Sequence, residues 1–161
     1  MVSFKRPSTN GVEGFFFILA AMFFDTNNPI VRKCADGMML EGIGQEAEAR
    51  QAFSDAWNMA TTDTEKCIAA HYIARQQPTP AEKLIWDERA LGYAQQVTDD
   101  NIKEGFPSLY LNIAKGYEDL NNLAAARENY RLAQSFIQYL PEDGYGKMIR
   151  GGISQGIERM G

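Results

Sequence analysis

The chain has 161 residues, of which 45% are hydrophobic and 23% charged, the usual balance of a globular domain with one core. Its formal net charge is −5, and an acidic surface repels phosphate backbones, which argues against a nucleic-acid partner. Cys34 and Cys67 are the only cysteines, too few for a disulfide framework and not spaced as zinc ligands. We expect both to be buried and reduced.

The first 26 residues differ in composition from the rest. Phe15–Phe24 is an uninterrupted apolar run that follows Lys5 and Arg6. Ten residues cannot cross a bilayer as a helix, which needs about 20, although the run matches the length of a signal-peptide core. Glu13 just before it and the lack of a small-residue cleavage site argue against a signal. We predict that residues 1–26 are an extra packed helix or an appendage from an upstream start codon, and that the protein is cytoplasmic. Export or anchoring through the apolar run is the minor alternative.

A helical domain is predicted for residues 27–161. From Ile30 onward, apolar residues recur three or four apart and no alternating strand pattern appears. The dipeptide Asn28-Pro29 is a helix-start signal, and Pro78–Pro80 predicts a turn because proline interrupts helices. The predicted helices, in chain order, are 29–43, 45–60, 63–77, 80–97, 106–120, 122–139 and 144–160.

Two segments share one spacing of small and aromatic residues. The pattern in Lys33–Ala60 recurs in Leu109–Gln134 at a constant offset of 77 residues. Small residues let two antiparallel helices approach closely, an aromatic fills the space between helix pairs, and Gly or Asn at the turn tolerates a left-handed backbone. The matched positions are Gly37 with Ala114, Gly44 with Asn121, Ala49 with Ala126, Phe53 with Tyr130 and Ala56 with Ala133.

A middle segment, Thr64–Gln95, fits the pattern less well. Ala90 lies 34 residues after its counterpart in the first segment and 43 before its counterpart in the third, so nine extra residues separate the middle and third segments. Lys83 and Asp87 stand where the small residue and the aromatic belong. Trp86 takes the place of the aromatic if the register slips by one residue.

These residues resemble the tetratricopeptide repeat family. The resemblance covers residues 30–140, in repeats of about 30–62, 63–98 and 105–140. It implies an all-α, right-handed superhelix of three helical hairpins, because one hairpin cannot bury its own apolar face. The family pattern is nearly complete in the third repeat, at Tyr110, Ile113, Ala114, Tyr117, Ala126, Tyr130 and Ala133.

Residues 144–160 are predicted to form a helix that caps the array. Isoleucines recur every four residues along one face, and a solenoid needs such a helix to cover its last apolar surface. Glycine inside a helix costs roughly 1 kcal/mol relative to alanine. We therefore expect Gly151, Gly152 and Gly156 to allow a close approach to the third repeat or to a ligand.

The strings NNPIVRKCADGM, AHYIARQQ, FPSLYLN and LPEDGYGKMIRGGISQGIERM also look like a group of small bacterial tetratricopeptide proteins of unsettled function. Some of those proteins carry the label rRNA adenine methyltransferase. The usual S-adenosylmethionine site needs a strand, a glycine-rich turn and a helix, and the sequence predicts no such unit. Asn28-Pro29 also lacks the second proline and the aromatic expected of adenine N6 chemistry. We reject the label.

Other catalytic signals are weak. His71 is the only histidine, and Cys67 lies one helical turn before it, so the two side chains could touch. A thiolate pair is conceivable, but no oxyanion-hole loop and no metal motif are visible. The sequence predicts no catalysis, no cofactor and no metal site.

The resemblance implies that the first helices of successive repeats line a concave groove that holds a peptide. The first repeat presents Met38 there with Cys34 and Glu41, and the third presents Ser108, Leu111, Lys115 and Glu118 with Asn112 beside them. Arg75 faces the groove in either register of the middle repeat. The uniform register adds Tyr72 and puts His71 at the tight helix crossing, whereas the slipped register puts His71 in the groove. The candidate partner-binding residues are Met38, His71, Tyr72, Arg75, Ser108, Asn112, Lys115 and, in the cap, Arg150.

Three functions follow as hypotheses. The first is a protein- or peptide-binding module without catalysis; the family's carboxylate-binding clamp of Lys, Asn and Arg is not reproduced, so we do not expect a chaperone C-terminus as partner. The second is a structural or homo-oligomeric role, in which Phe15–Phe24 packs into a neighbouring copy, as the contact of a homodimer, or into the protein's own groove. The third is a small-ligand or enzymatic role around His71. Contact with a membrane is not expected.

Overall fold

The computed structural model describes residues 26–161, which form seven α-helices and two short 3-10 helices and contain no β-strand. The all-α prediction is confirmed for this part of the chain. The predicted segment 1–26 lies outside the described residues except for its last residue. The α-helices are α1 Pro29–Gly42, α2 Glu46–Met59, α3 Asp63–Arg75, α4 Pro80–Ala94, α5 Phe106–Asp119, α6 Leu123–Ser135 and α7 Gly144–Met160.

The helices pack as sequential pairs. Helix α1 pairs with α2, α3 with α4 and α5 with α6, and each pair also contacts the next one along the chain. Helix α7 packs on the third pair through both α5 and α6. This order of contacts confirms the three predicted hairpins and is consistent with a helical repeat. No helix within residues 26–161 is both long enough and apolar enough to cross a membrane.

Three of the helix starts follow capping rules that can be read from the sequence. The Asn28 side chain accepts a backbone N–H of the first turn of α1, and Pro29 occupies the first helical position. At the start of α4 the Thr79 side chain likewise accepts a backbone N–H of the first turn, and Pro80 occupies the first helical position. The predicted proline turn therefore ends where α4 begins. Thr62 starts α3 with a capping box, in which it and Glu65 bond each other's backbone N–H groups.

The turns of the first and third hairpins have the predicted left-handed backbone. Gly44 has a φ of +80° and Asn121 a φ of +59°, and each follows the first helix of its pair. Glycine has no Cβ to clash there, and Asn is among the few other residues that tolerate this conformation. The middle hairpin turns instead through Gln76–Thr79, where Pro78 prevents the helix from continuing.

Two predicted helices end early. Helix α4 stops at Ala94 instead of residue 97, and the nine extra residues are used in the loop that contains the 3-10 helix Asp100–Glu104. Asp99 caps that turn with its side chain, a bonding pattern that competes with helix continuation. Helix α6 stops at Ser135 instead of 139, and the 3-10 helix Ile137–Tyr139 follows it. Phe136, at the break, packs against two aromatic rings of α5.

Glycine and aromatic residues meet where helices cross. A Cβ built on Gly37 would lie 2.5 Å from the ring of Phe53, and one on Gly156 would lie 2.1 Å from the ring of Tyr130. Gly152 approaches the third hairpin less closely, whereas Gly151 has no atom within 4 Å of such a Cβ. The predicted close approach to the third repeat is therefore confirmed at Gly152 and Gly156; Gly151 does not approach that repeat, and an approach of Gly151 to a ligand stays a prediction.

The cap is also held by charged hydrogen bonds. Arg159 of α7 binds both carboxylate oxygens of Glu118, at 2.8 and 3.0 Å, and the Tyr130 hydroxyl donates to the same carboxylate. These bonds hold the pKa of Glu118 at about 2, with Arg159 the largest cause. Glu118 was expected in the groove, and the structure instead shows it fastening α7 to α5.

Both cysteines are free and buried, as predicted. Cys34 packs in the core between α1, α2 and α3, and Cys67 packs among residues of the middle hairpin and the loop after it. Burial raises the pKa of each thiol to about 12. Both are therefore protonated near neutral pH and lack the thiolate character that nucleophilic cysteines need.

Candidate functional site

A cleft of about 220 Å³ opens between the first helices of the three hairpins, α4 and α7. We call it the central cleft. Every hairpin and the cap contribute to it, so it exists only when the whole array is packed. Its lining residues are Met38 of α1, His71 and Arg75 of α3, Lys83 and Asp87 of α4, Ser108 and Asn112 of α5, and Tyr145, Met148 and Ile149 of α7.

Five of the eight residues predicted to bind a partner lie in this cleft. They come from three different helices, α1, α3 and α5, and are far apart in sequence. The five are Met38, His71, Arg75, Ser108 and Asn112. The other three, Tyr72, Lys115 and Arg150, do not line it. Whether any of the eight contacts a partner stays a prediction.

Tyr72 belongs to the core. It is 1% exposed and its ring stacks on that of Phe53 at a centroid distance of 5.4 Å. Ala70, not His71, packs with Ala90 in the buried cluster of the middle hairpin. The first helix of the middle hairpin, α3, thus follows the slipped register, whereas Ala90 of α4 keeps the position that the uniform register gives it. The small alanine fits the helix crossing and the larger imidazole turns toward the cleft, so the expectation from the uniform register is corrected.

Arg150 and Lys115 make bonds close to their own positions. The Arg150 guanidinium donates to the carbonyls of Leu140 and Pro141 at 3.0 and 3.1 Å and pairs with Glu142 at 2.7 Å, which ties α7 to the loop before it. Lys115 is exposed and pairs with a carboxylate one helical turn further along α5. Neither Arg150 nor Lys115 therefore contributes its charge to the lining of the cleft.

Asp87 and Lys83 form the wall on α4. Asp87 is 1% exposed, and its Oδ2 accepts from the Lys83 ammonium one helical turn away. Its Oδ1 has no hydrogen-bond partner within residues 26–161. Burial raises the pKa of Asp87, and Lys83 acts in the opposite direction. A buried carboxylate oxygen without a donor is costly, so this atom needs an explanation.

His71 is neutral in the folded protein. Burial and, to a smaller extent, the nearby positive charges of Arg75 and Lys83 together lower its pKa to about 3. Its Nδ1 lies 3.4 Å from the side-chain nitrogen of Asn112. If Nδ1 accepts from that amide, the proton of the imidazole is on Nε2. A ring with this pKa is uncharged at neutral pH and gives no support to acid catalysis.

Tyr145 of α7 supplies a second buried polar atom without a partner. The residue is 4% exposed, and its hydroxyl makes no hydrogen bond of acceptable geometry within the described part of the chain. Burial raises the pKa of Tyr145 to about 12, and the nearby Ser108 hydroxyl opposes this rise, although its geometry toward Tyr145 is not that of a hydrogen bond. The Ser108 hydroxyl donates its own proton to the Gly105 carbonyl at 3.1 Å.

The charges around the central cleft balance. Arg75 pairs with Glu41 at 2.8 Å, and Glu41 also accepts from Gln76 at 2.7 Å. Lys83 pairs with Asp87. Because each of these two cations has an anion beside it and His71 is neutral, the two ion pairs and the imidazole, all within residues 26–161, add no net charge to the cleft at neutral pH.

Five lining residues of the cleft were not predicted from the sequence: Lys83, Asp87, Tyr145, Met148 and Ile149. Lys83 and Asp87 had been noted as departures from the repeat pattern, and that departure was the available signal. A buried carboxylate paired with a half-exposed lysine, in place of an aromatic and a small residue, is costly unless it has a role. Nothing in the spacing of α7 indicates that Tyr145 would reach the cleft.

Within residues 26–161, no group of three or more His, Cys, Asp or Glu side chains could hold a metal ion. Two other depressions are more open: one beside the turns that end α1 and α3, and one along α6. Neither contains a buried polar atom without a partner. Comparisons of the chain with protein-family models, with curated proteins and with solved structures find no match.

Proposed function

We propose that this chain is a tetratricopeptide-like module that binds a protein or peptide, with part of the partner entering the central cleft. The proposal includes a right-handed superhelical arrangement of the hairpins. The observation that carries it is the convergence of Met38, Arg75 and Asn112, from the first helices of three successive hairpins, on one concave site. Concave surfaces of this kind are the binding faces of stacked helical repeats.

The composition of the cleft favours recognition of a partner. Met38 and Met148 both line it, and methionine adapts its shape to a bound group. Met148 is 43% exposed, which makes its side chain accessible from solvent. The polar groups of the lining can fix the orientation of what enters, as they do in other binding pockets.

The volume favours a side chain over a cofactor. Pockets for drug-sized ligands and cofactors have volumes of about 300–1,000 Å³, whereas the central cleft has about 220 Å³. His71 is neutral and the buried Cys67 thiol is protonated, so the two do not form the activated pair that nucleophilic catalysis requires. A binding role uses the site as it stands.

The test is a selection of displayed random peptides on the full chain. Asn112→Trp introduces a large ring at a half-buried position of the cleft, and we expect it to weaken the selected peptides by more than about tenfold, which corresponds to about 1.4 kcal/mol. The matched control is Glu128→Trp, the same new ring at an exposed position of α6. Both variants are checked by thermal unfolding. Peptides that bind Asn112→Trp as well as the wild type would rule out the cleft as the binding site.

The other two hypotheses stay predictions. A homo-oligomeric role through Phe15–Phe24 concerns residues outside those described. A small-ligand role around His71 shares the same cleft, and the selection separates it from peptide binding, because a cleft that binds only small molecules yields no peptide sensitive to Asn112→Trp. The cytoplasmic location also stays a prediction.

A further inference from the structure

The central cleft contains one acceptor and one hydroxyl that find no hydrogen-bond partner within residues 26–161. Asp87 Oδ1 and the Tyr145 hydroxyl are both buried, both belong to residues that line the cleft, and neither has a hydrogen-bond partner within residues 26–161. The large majority of buried polar side-chain atoms are hydrogen-bonded. Two exceptions on one cleft indicate that a bound group completes them.

The bound group must be uncharged. The side chains around the cleft form the pairs Arg75 with Glu41 and Lys83 with Asp87, and His71 carries no charge. An added ammonium would meet Asp87 but also two cations. An added carboxylate would leave Asp87 Oδ1 unpaired beside a second negative charge. Either ion would bring an uncompensated charge into a largely buried site, which is costly.

The bound group must also offer a donor beside an acceptor. Asp87 Oδ1 can only accept, whereas the Tyr145 hydroxyl can donate. The side chains of Met38, Met148 and Ile149 require that these polar atoms be carried on an apolar stem. A primary carboxamide on a short aliphatic chain has this combination, and among protein side chains it belongs to Gln and Asn.

We propose that the central cleft recognises a carboxamide side chain, glutamine or asparagine, of its peptide partner. The amide N–H donates to Asp87 Oδ1 and the amide carbonyl accepts from the Tyr145 hydroxyl. The inference rests on the proposed binding function and adds the chemical group that is read.

The experiment is an NMR titration of the full chain with butyramide, butyrate and butylamine. These probes share one aliphatic stem and differ in the charge and donors of the head group. We expect butyramide to shift resonances of cleft residues and to bind at least about tenfold more tightly than either ion, a difference of about 1.4 kcal/mol. Equal or tighter binding of butyrate or butylamine overturns the inference.

The chain offers a matched pair of variants. Tyr145→Phe removes the unpaired hydroxyl that lines the cleft, and we expect it to weaken butyramide about fivefold, the value of one ordinary hydrogen bond. Tyr72→Phe removes another buried hydroxyl without a partner, but Tyr72 does not line the cleft, so we expect unchanged affinity. Both should fold, because each change deletes only an unpaired polar atom. Equal affinities in wild type and Tyr145→Phe overturn the inference.

The selected peptides give an independent readout. If the inference holds, they share a Gln or Asn whose replacement by Glu or Lys abolishes binding. Peptides that need the cleft but contain no shared carboxamide overturn the inference and leave the proposed function standing. Butyramide binding that depends on Tyr145, without any cleft-dependent peptide, supports the carboxamide site and overturns the peptide-binding function.

Discussion

The third hairpin, with its cap, and the middle hairpin each consist of two paired helices. They differ at the two positions of the second helix where the repeat pattern has a small residue and an aromatic. In the third hairpin the positions hold Ala126 and Tyr130, which are fully buried, and the Tyr130 hydroxyl is bonded to Glu118. In the second helix of the middle hairpin the corresponding positions hold Lys83 and Asp87. Asp87 is buried, and its Oδ1 has no hydrogen-bond partner within residues 26–161. The repeat pattern is kept where helices pack on helices and is broken where they line the central cleft.

This difference separates stability from recognition. Tyr130 fills the space that Gly156 of the cap leaves open, and its hydroxyl is satisfied, so every part of the residue contributes to packing. Asp87 has neither the ring packing nor the fully bonded polar group of Tyr130, and its Oδ1 is an acceptor without a donor within residues 26–161. Local departures from a consistent pattern are expected at functional sites.

The largest effect is expected from Gly156→Ala. The new Cβ would stand 2.1 Å from a buried Tyr130 ring that has no room to move, and the cap helix would have to shift. We expect a loss of about 3 kcal/mol or more in the free energy of unfolding, the upper range for overpacking. The control is Gly151→Ala, where the space is open and better helix propensity should add up to about 1 kcal/mol. Chemical denaturation measures both, and equal effects would contradict the role of close packing at the cap.

A second comparison sets the bonded tyrosine against the unbonded ones. Tyr130→Phe removes hydrogen bonds to Glu118 and Arg159, so we expect a loss of about 1.5–3 kcal/mol of stability, the value of bonds to charged groups. Tyr145→Phe and Tyr72→Phe remove hydroxyls without partners and should leave stability unchanged or slightly higher. Denaturation of the three variants gives the order. A clear loss of stability in Tyr145→Phe would show that its hydroxyl is already bonded within the protein.

The helices could be predicted from the sequence because their ends depend on local chemistry. The capping side chain of Asn28, the proline at position 80 and the positive φ of Asn121 each act within a few residues, and the structure has all three. The glycine crossings could be predicted because an aromatic recurs at a fixed spacing. The early end of α6 could not, since it depends on Phe136 packing against rings of another helix.

The cleft could be predicted only in part. Met38 and Asn112 follow from the repeat alignment, since they occupy its inner face. The position of His71, in the groove or at the helix crossing, depends on a one-residue shift in the register of the middle repeat. The sequence does not decide between the two registers, because they differ in packing between helices that are distant in the chain. Tyr145 reaches the cleft only through the docking of α7, and nothing in its local sequence determines that angle.

The last stability test is the pH dependence from His71. Its folded-state pKa of about 3 lies below the ordinary value of 6.5, so below pH 6.5 the unfolded chain takes up a proton that the folded chain does not. Stability should fall by about 1.4 kcal/mol per pH unit as the pH drops from 6.5 toward 3. Asp87, whose pKa is raised, opposes this at lower pH, so the window from 6.5 to about 5 is the most direct. The slope should be lost in His71→Gln; an identical slope in that variant would contradict the buried, neutral imidazole.

The most direct test of the central claim uses the same residue as a probe of binding. His71 is the only histidine of the chain and lines the central cleft. The two ring-nitrogen resonances of a ¹⁵N-histidine-labelled sample therefore both come from that site. The account predicts that a selected peptide, added to saturation, shifts both ring nitrogens of His71 in the wild type and leaves them unmoved in Asn112→Trp. A saturating peptide that leaves the His71 resonances unchanged in the wild type would show that binding takes place elsewhere on the molecule.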